Sequence, residues 1–147
     1  MRLRRWFASG ALVTVGLFAI VACAKLPTAA PTSKFPNLSG PQAQELMKKN
    51  QGRADFAVLD VRTPAEFAAG HLAGAVNVDF RAADFAARAS KLERSRGYLV
   101  YCRTGNRSRL ALPILQRLGF TSLYHLQGGI AEWQRQGLPI EHAPPAK

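Results

Sequence analysis

Cys102 stands where an apolar segment, Tyr98-Leu99-Val100-Tyr101, breaks into the polar turn Arg103-Thr104-Gly105-Asn106-Arg107-Ser108 and then into an apolar helical pattern. A loop wound around one side chain turns its backbone N–H groups inward, and a following helix adds the positive end of its dipole. Both stabilise negative charge at the loop centre, and the sulfur is the atom there that can carry it. A free thiol with a pKa of about 8.5 is only a few per cent ionised at neutral pH, whereas thiols at helix N-termini or beside arginine fall to roughly 3.5 to 7.5. A drop of two units is a preference of about 2.7 kcal/mol for the thiolate. The chemistry on offer is nucleophilic attack by an ionised sulfur.

The elements around Cys102 must hold that turn in place. Ser39-Gly40-Pro41-Gln42 gives an N-cap with glutamine at the capping-box position, opening a helix through Gln44, Leu46, Met47 and Lys49 that ends near Asn50 to Gly52. Phe56 to Val61 is a short apolar run of the kind buried on both faces of a sheet. Thr63-Pro64-Ala65-Glu66 is a second capping box, with proline at the first helical position, and Gly70 stops that short helix. Ala75 to Val78 is a brief strand, and a helical stretch from about Ala82 to Leu92 leads to the strand ending at Tyr101. Beyond the turn, Leu110, Ala111, Ile114, Leu115 and Leu118 recur at helical spacing, with Pro113 expected to kink the helix about Arg109 to Pro113. Ser122 to Leu126 is the last strand, and Gly128-Gly129 leads a final helix stopped by Gly137.

Strands alternating with helices through short connections predict an α/β domain built on a mainly parallel sheet. Ligands of such sheets bind beyond the C-terminal strand ends, and Cys102 falls at one of them.

The first residues read as a targeting segment. Arg2, Arg4 and Arg5 precede a stretch from Trp6 to Ala24 without a single charged residue. The run suits an export signal and is just long enough for a membrane span, and basic residues ahead of it place the domain outside the cytoplasm in either case. Ile20-Val21-Ala22-Cys23 resembles a lipobox, which would lipidate Cys23, while Ala22-Cys23-Ala24 suits ordinary signal peptidase, which would remove it. Arg4-Arg5-Trp6-Phe7 is a partial twin-arginine match lacking the flanking Ser and Lys. Residues 1–24 are thus a signal peptide or a lipoprotein or membrane anchor. Residues 25–36, with Pro27, Pro31 and Pro36, read as a linker, residues 37–141 as the domain, and residues 142–147 as a flexible tail.

With Cys23 assigned to the targeting segment, Cys102 has no partner for an internal disulfide and is either a small buried hydrophobe or a working thiol. The loop around it favours work. Of 20 lysines and arginines three lie in residues 1–24, leaving 17 against nine acids, a surplus of eight. Such a surface favours anions, though a merely solvated basic face is the plainer reading. The arginines are scattered without interleaved aromatics, so nucleic acid is not expected as a partner. No Cys-x-x-Cys pair supports disulfide exchange, and His71, His125 and His142 show no metal-ligand spacing with Cys102; no metal or cofactor is expected.

Four separated signatures, Leu59-Asp60-Val61-Arg62, Glu66-Phe67 with Gly70-His71-Leu72-Ala73-Gly74-Ala75-Val76-Asn77, Cys102 to Ser108, and Gly128-Gly129 with Trp133, resemble a single rhodanese domain in order and spacing. The resemblance covers roughly residues 37 to 141. It implies a mainly parallel sheet flanked by helices on both faces, and a sulfurtransferase. In that reaction Cys102 attacks the sulfane sulfur of a donor such as thiosulfate, becomes a persulfide, and passes the sulfur to cyanide or a thiol. The chemistry needs an acidic thiol, an anion cradle, and no nearby second cysteine to discharge the intermediate. The N–H groups from Arg103 to Ser108, that is Arg103, Thr104, Gly105, Asn106, Arg107 and Ser108, would form the cradle. Arg107 is the side chain expected to attract an anionic donor, and Arg103 and Thr104 stand at the mouth. The alternative is a non-catalytic module that binds a partner or carries a persulfide.

Loop size separates sulfur from phosphorus chemistry. Tyrosine phosphatases use a Cys-x5-Arg loop wide enough for a tetrahedral phosphate, whereas Cys102 to Arg107 is Cys-x4-Arg. Asp60 and Arg62 share one strand face at period two and either pair with each other or orient the loop. His71 is expected to hydrogen-bond locally, and Trp133 to be a core aromatic.

Overall fold

In the computed structural model, which describes residues 34–142, strands and helices alternate along the chain. The elements are β1 (Asn37–Leu38), α1 (Gly40–Lys49), β2 (Phe56–Asp60), α2 (Pro64–Ala68), β3 (Ala75–Asn77), α3 (Phe85–Ala89), β4 (Gly97–Tyr101), α4 (Asn106–Arg117), β5 (Ser122–Leu126) and α5 (Gly129–Arg135). The targeting segment with Cys23, most of the linker, and residues 143–147 of the tail lie outside the described residues.

The strands form one five-stranded sheet in the order β1-β5-β4-β2-β3, with every pairing parallel. β4 is the central strand, and its five residues are all buried. Continuous burial is what a strand covered on both sides requires. Alternation then assigns its side chains to two cores. Tyr98, Val100 and Cys102 join Phe85 and Ala89 of α3 and Ala111, Leu112 and Leu115 of α4. Leu99 and Tyr101 join Ala43 of α1 and Ile130 and Trp133 of α5. Helices therefore cover both faces. Trp133 is a core aromatic whose Nε1–H donates to the Pro139 carbonyl at 2.9 Å.

Local chemistry sets the helix starts. Gln42 Oε1 accepts from the Ser39 N–H at 2.9 Å, and Thr63 Oγ1 accepts from the Glu66 N–H at 3.3 Å, so both capping boxes work as written. The helix between β3 and β4 is shorter than its sequence pattern, covering Phe85 to Ala89 rather than about Ala82 to Leu92. α4 runs through Pro113 without ending. Pro113 and Arg109 are both exposed, so the Arg109 carbonyl that proline leaves without an amide faces water.

Two features at the ends of the domain were not expected. β1 is a two-residue strand that the sequence pattern did not indicate, pairing Asn37 with His125 and Leu38 with Leu126. At the other end, His71 and Glu141 exchange backbone hydrogen bonds of 2.7 Å in both directions, and His142 Nδ1 lies 3.0 Å from the Ala69 carbonyl. His142, assigned to the tail, is thus held against the end of α2.

Candidate active site

β4 releases the chain at Tyr101, and α4 takes it up again at Asn106, so only four residues span the turn. Gly105 makes the reversal with φ at +95°, a left-handed conformation that side chains with a Cβ rarely adopt. That twist points the Gly105 N–H at Cys102 Sγ, 3.1 Å away, and brings the Ser108 hydroxyl to 3.6 Å from the same sulfur. Cys102 is only 1 % exposed. Burial alone pushes the thiol up. The amide and hydroxyl of Ser108 and the amides of Thr104 and Gly105 outweigh it and hold the thiol below its ordinary range.

For the amides to turn inward, the loop's carbonyls must find other partners. The start of α5 supplies them: the Ile130 N–H donates to the Cys102 carbonyl and the Ala131 N–H to the Arg103 carbonyl, both at 2.9 Å. This close approach requires a glycine. Gly129 has φ at +60°, and a Cβ there would lie 2.3 Å from the Cys102 carbonyl oxygen and 2.6 Å from that of Arg103. The Gly128-Gly129 pair and the Cys102 turn are one structure seen from two sides.

The charged groups sort into two ion pairs. Arg107 grips Glu66 with both terminal nitrogens, Nη1 on Oε2 and Nη2 on Oε1, each at 2.7 Å. Arg107, expected to receive an anionic donor, therefore has its bidentate fork committed to a carboxylate from α2. The pairing lowers the Glu66 carboxyl to about 2, with the Arg107 hydrogen bonds the largest cause and the Thr63 cap adding to them. Arg107 in turn is held above its usual range by Glu66 first, and by the charge of Cys102 as well. Asp60 and Arg62 pair with each other. Arg62 Nη2 reaches Asp60 Oδ2 at 2.6 Å and the Gly70 carbonyl at 2.7 Å, both side chains being buried. That pair ties β2 to the end of the Gly70 turn rather than contacting the sulfur. Arg103, Thr104 and Asn106 project outward, while Gly105 and Ser108 are buried. His71 Nδ1 lies 2.9 Å from the Phe67 carbonyl, the local bond expected of it.

Three residues enter the site without having been singled out for it. Glu66 figured as a helix cap and as part of the Glu66-Phe67 signature but was given no role at the site, and no short-range pattern announces a partner 41 residues away. His125 was placed in β5 with no role, yet its Nε2 lies 2.9 Å from Ser108 Oγ, and Asn37 Oδ1 sits 2.7 Å from its Nδ1. A signal for His125 existed: Leu123 and His125 fall on alternate positions of β5, so the histidine occupies a core-facing place.

A buried, acidified thiol ringed by inward amides at a C-terminal strand end is a site that favours negative charge on sulfur. The sequence profile of the rhodanese-like domain matches residues 42–136. A thiosulfate sulfurtransferase of Pseudomonas putida is 38% identical over 112 residues, covering 76% of this chain and 94% of that protein. A sulfurtransferase of Allochromatium vinosum is 34% identical over 98 residues, covering 67% of this chain and 90% of that protein. Among solved structures, a rhodanese-related protein from Thermoplasma volcanium superposes with a TM-score of 0.62 at 30% identity, covering 73% of this chain and 98% of that one. The chain belongs to the rhodanese-like domain family, and its relatives there include proteins named sulfurtransferase.

Gly129→Ala should destabilise the domain by at least about 2 kcal/mol in urea titration, because the new methyl must displace loop backbone. A stability equal to the wild type would refute the tight seat of α5 on the loop. The Glu66 pair carries a pH signature: a carboxyl with a depressed folded pKa adds stability above its ordinary value near 4.5 and loses it as pH falls toward 2. Glu66→Gln should therefore melt below the wild type at pH 7, with the gap closing on acidification. A gap independent of pH would show that the ion pair is not its source.

Proposed function

We propose that this chain is a rhodanese-type sulfurtransferase that carries sulfane sulfur as a persulfide on Cys102. The observation that carries the reading is the Gly105 N–H at 3.1 Å from Cys102 Sγ, within a ring of amides that favours negative charge on that atom. With thiosulfate as donor, the Cys102 thiolate attacks the outer sulfur. A sulfur–sulfur bond forms to Cys102 while the bond from that sulfur to the sulfonate breaks, and sulfite leaves with its electron pair. The new terminal sulfur holds the negative charge, so the amides that stabilised the thiolate serve the persulfide too. A cyanide or thiolate acceptor then attacks the terminal sulfur and returns Cys102 to its thiolate. The reaction needs no general base where the thiol ionises before attack, and the lowered thiol favours that order.

The Cys-x4-Arg spacing supports sulfur over phosphorus chemistry, since a ring shorter by one residue suits a single extra atom better than a tetrahedral oxyanion. Cys102 is the one cysteine among the described residues, which removes the commonest route for discharging a persulfide within the domain. The exposed Arg103 and Thr104 stand where donor and acceptor approach, and the basic surplus of the chain favours anionic donors. We further propose that the domain lies outside the cytoplasm, released by signal peptidase or held at the membrane through a lipidated Cys23 or a retained apolar segment, as the run from Trp6 to Ala24 supports.

Thiocyanate release from thiosulfate and cyanide tests the reaction. The wild type should turn over and Cys102→Ser should fall to the reagent background. A wild type as inert as the variant with every small donor would instead mark a binding or persulfide-carrier module. Intact mass of the mature protein from a Gram-negative host should lack at least residues 1–22; a full-length species would overturn processing.

A further inference from the structure

One buried titratable group beside Cys102 has no part in the reaction as written. His125 is 7 % exposed, sits on β5 opposite Asn37 of β1, and reaches the back of the loop. Its Nε2 lies 2.9 Å from Ser108 Oγ and 3.2 Å from the Gly105 carbonyl oxygen. Ser108 Oγ in turn lies 3.0 Å from that same carbonyl and 3.6 Å from Cys102 Sγ.

The Ser108 hydroxyl has one proton and three acceptors within reach, so its neighbours decide where the proton goes. If His125 Nε2 were bare, it would compete for that proton while its lone pair faced the lone pairs of the Gly105 carbonyl. If Nε2 carries a hydrogen, it donates to Ser108 Oγ and to the Gly105 carbonyl together, which removes Nε2 as a competitor and occupies one lone pair of that carbonyl, so the hydroxyl proton turns toward the charged sulfur. The carbonyl is part of the loop backbone and cannot turn. Asn37, the partner of Nδ1 at 2.7 Å, is exposed, and its amide presents oxygen or nitrogen by a half-turn of the side chain. The fixed partner therefore sets the tautomer and the rotatable one follows. Burial keeps the imidazole below its ordinary range, with the Gly105 carbonyl acting against the shift and the charge of Arg109 adding to it, so the ring is neutral at pH 7.

We propose that His125 is a positioning residue: its Nε2–H engages the Ser108 hydroxyl and the Gly105 carbonyl, so that Ser108 donates its own proton to Cys102 Sγ. The inference rests on the sulfurtransferase reading of this loop and adds to it the source of one donor to the sulfur. The other groups around the sulfur, the amides of Thr104, Gly105 and Ser108 and the guanidinium of Arg107, do not depend on His125 side-chain chemistry.

The test is the pH profile of iodoacetamide alkylation, followed by mass spectrometry on the Cys102 peptide of the full chain. His125→Leu should raise the midpoint by about one unit, as loss of a hydrogen bond to a charged group predicts. His125→Gln, whose amide nitrogen reaches about as far as Nε2, should restore most of the shift. In a Ser108→Ala background, His125→Leu should move the midpoint no further, because the proton it directs is gone. Nitrogen-15 NMR of the wild type should show hydrogen on Nε2. A midpoint unmoved by His125→Leu, a shift that adds in full to that of Ser108→Ala, or hydrogen on Nδ1 overturns the proposal. Wild type that releases no thiocyanate while these shifts appear would reject the sulfurtransferase reading and leave the role of His125 standing; active wild type with none of them would do the reverse.

Discussion

Everything at the site depends on the polarity of one turn. The carbonyls of Cys102 and Arg103 face the N-terminus of α5, where the amides of Ile130 and Ala131 take them up, and the amides that follow face the sulfur. A peptide group cannot present both ends to the same side, so fixing the Arg103 carbonyl outward turns the Thr104 amide inward, while the left-handed Gly105 and the first turn of α4 bring in the amides of Gly105 and Ser108. Gly129 permits the approach and Gly105 permits the twist. The sheet contributes by ending β4 between β2 and β5, where the chain emerges beside α5.

The charge at this site is balanced mainly by dipoles. Arg107 is the cation that feels the sulfur, and it is shared with Glu66 in a bidentate pair. A full, unshared cation would stabilise the thiolate further, but nucleophilicity falls as a thiol becomes more acidic, so maximal stabilisation is not the best nucleophile. A ring of amides with a half-neutralised arginine lowers the thiol without fixing it in an ion pair. The same arrangement suits a persulfide, whose charge lies one atom farther out. The buried Asp60–Arg62 pair works at a different level, joining the end of β2 to the Gly70 carbonyl. Removing either partner would strand the other charge in the interior.

The residues legible in advance were those whose signal is local. Both capping boxes, the burial of β4, the turn after Cys102 and most of the apolar face of α4 depend on neighbours within a few residues, where composition and spacing carry the information, although Leu110 of the expected face is exposed and Leu112 is buried in its place. The residues that escaped depend on long-range contact. β1 is two residues long and exists because β5 offers it an edge, so no periodicity could reveal it. Arg107, read as part of the turn and expected to attract an anionic donor, lies in the first turn of α4, and its partner Glu66 is brought to it by α2. The helix at Phe85–Ala89 is shorter than its pattern because helical composition is a weak constraint beside packing.

By itself the sequence determined an alternating α/β domain with one of the chain's two cysteines at a strand end, and with it the kind of chemistry available: a loop of amides around one sulfur. The tertiary structure decided how that sulfur is supported. It assigned Arg107 to Glu66, paired Asp60 with Arg62, and set Asn37, His125 and Ser108 in a line behind Cys102. Element formation follows from dihedral preferences and short-range periodicity, which a sequence displays directly. Partnership between distant side chains follows from which strand lies beside which, and that is settled only when the whole sheet buries its two faces.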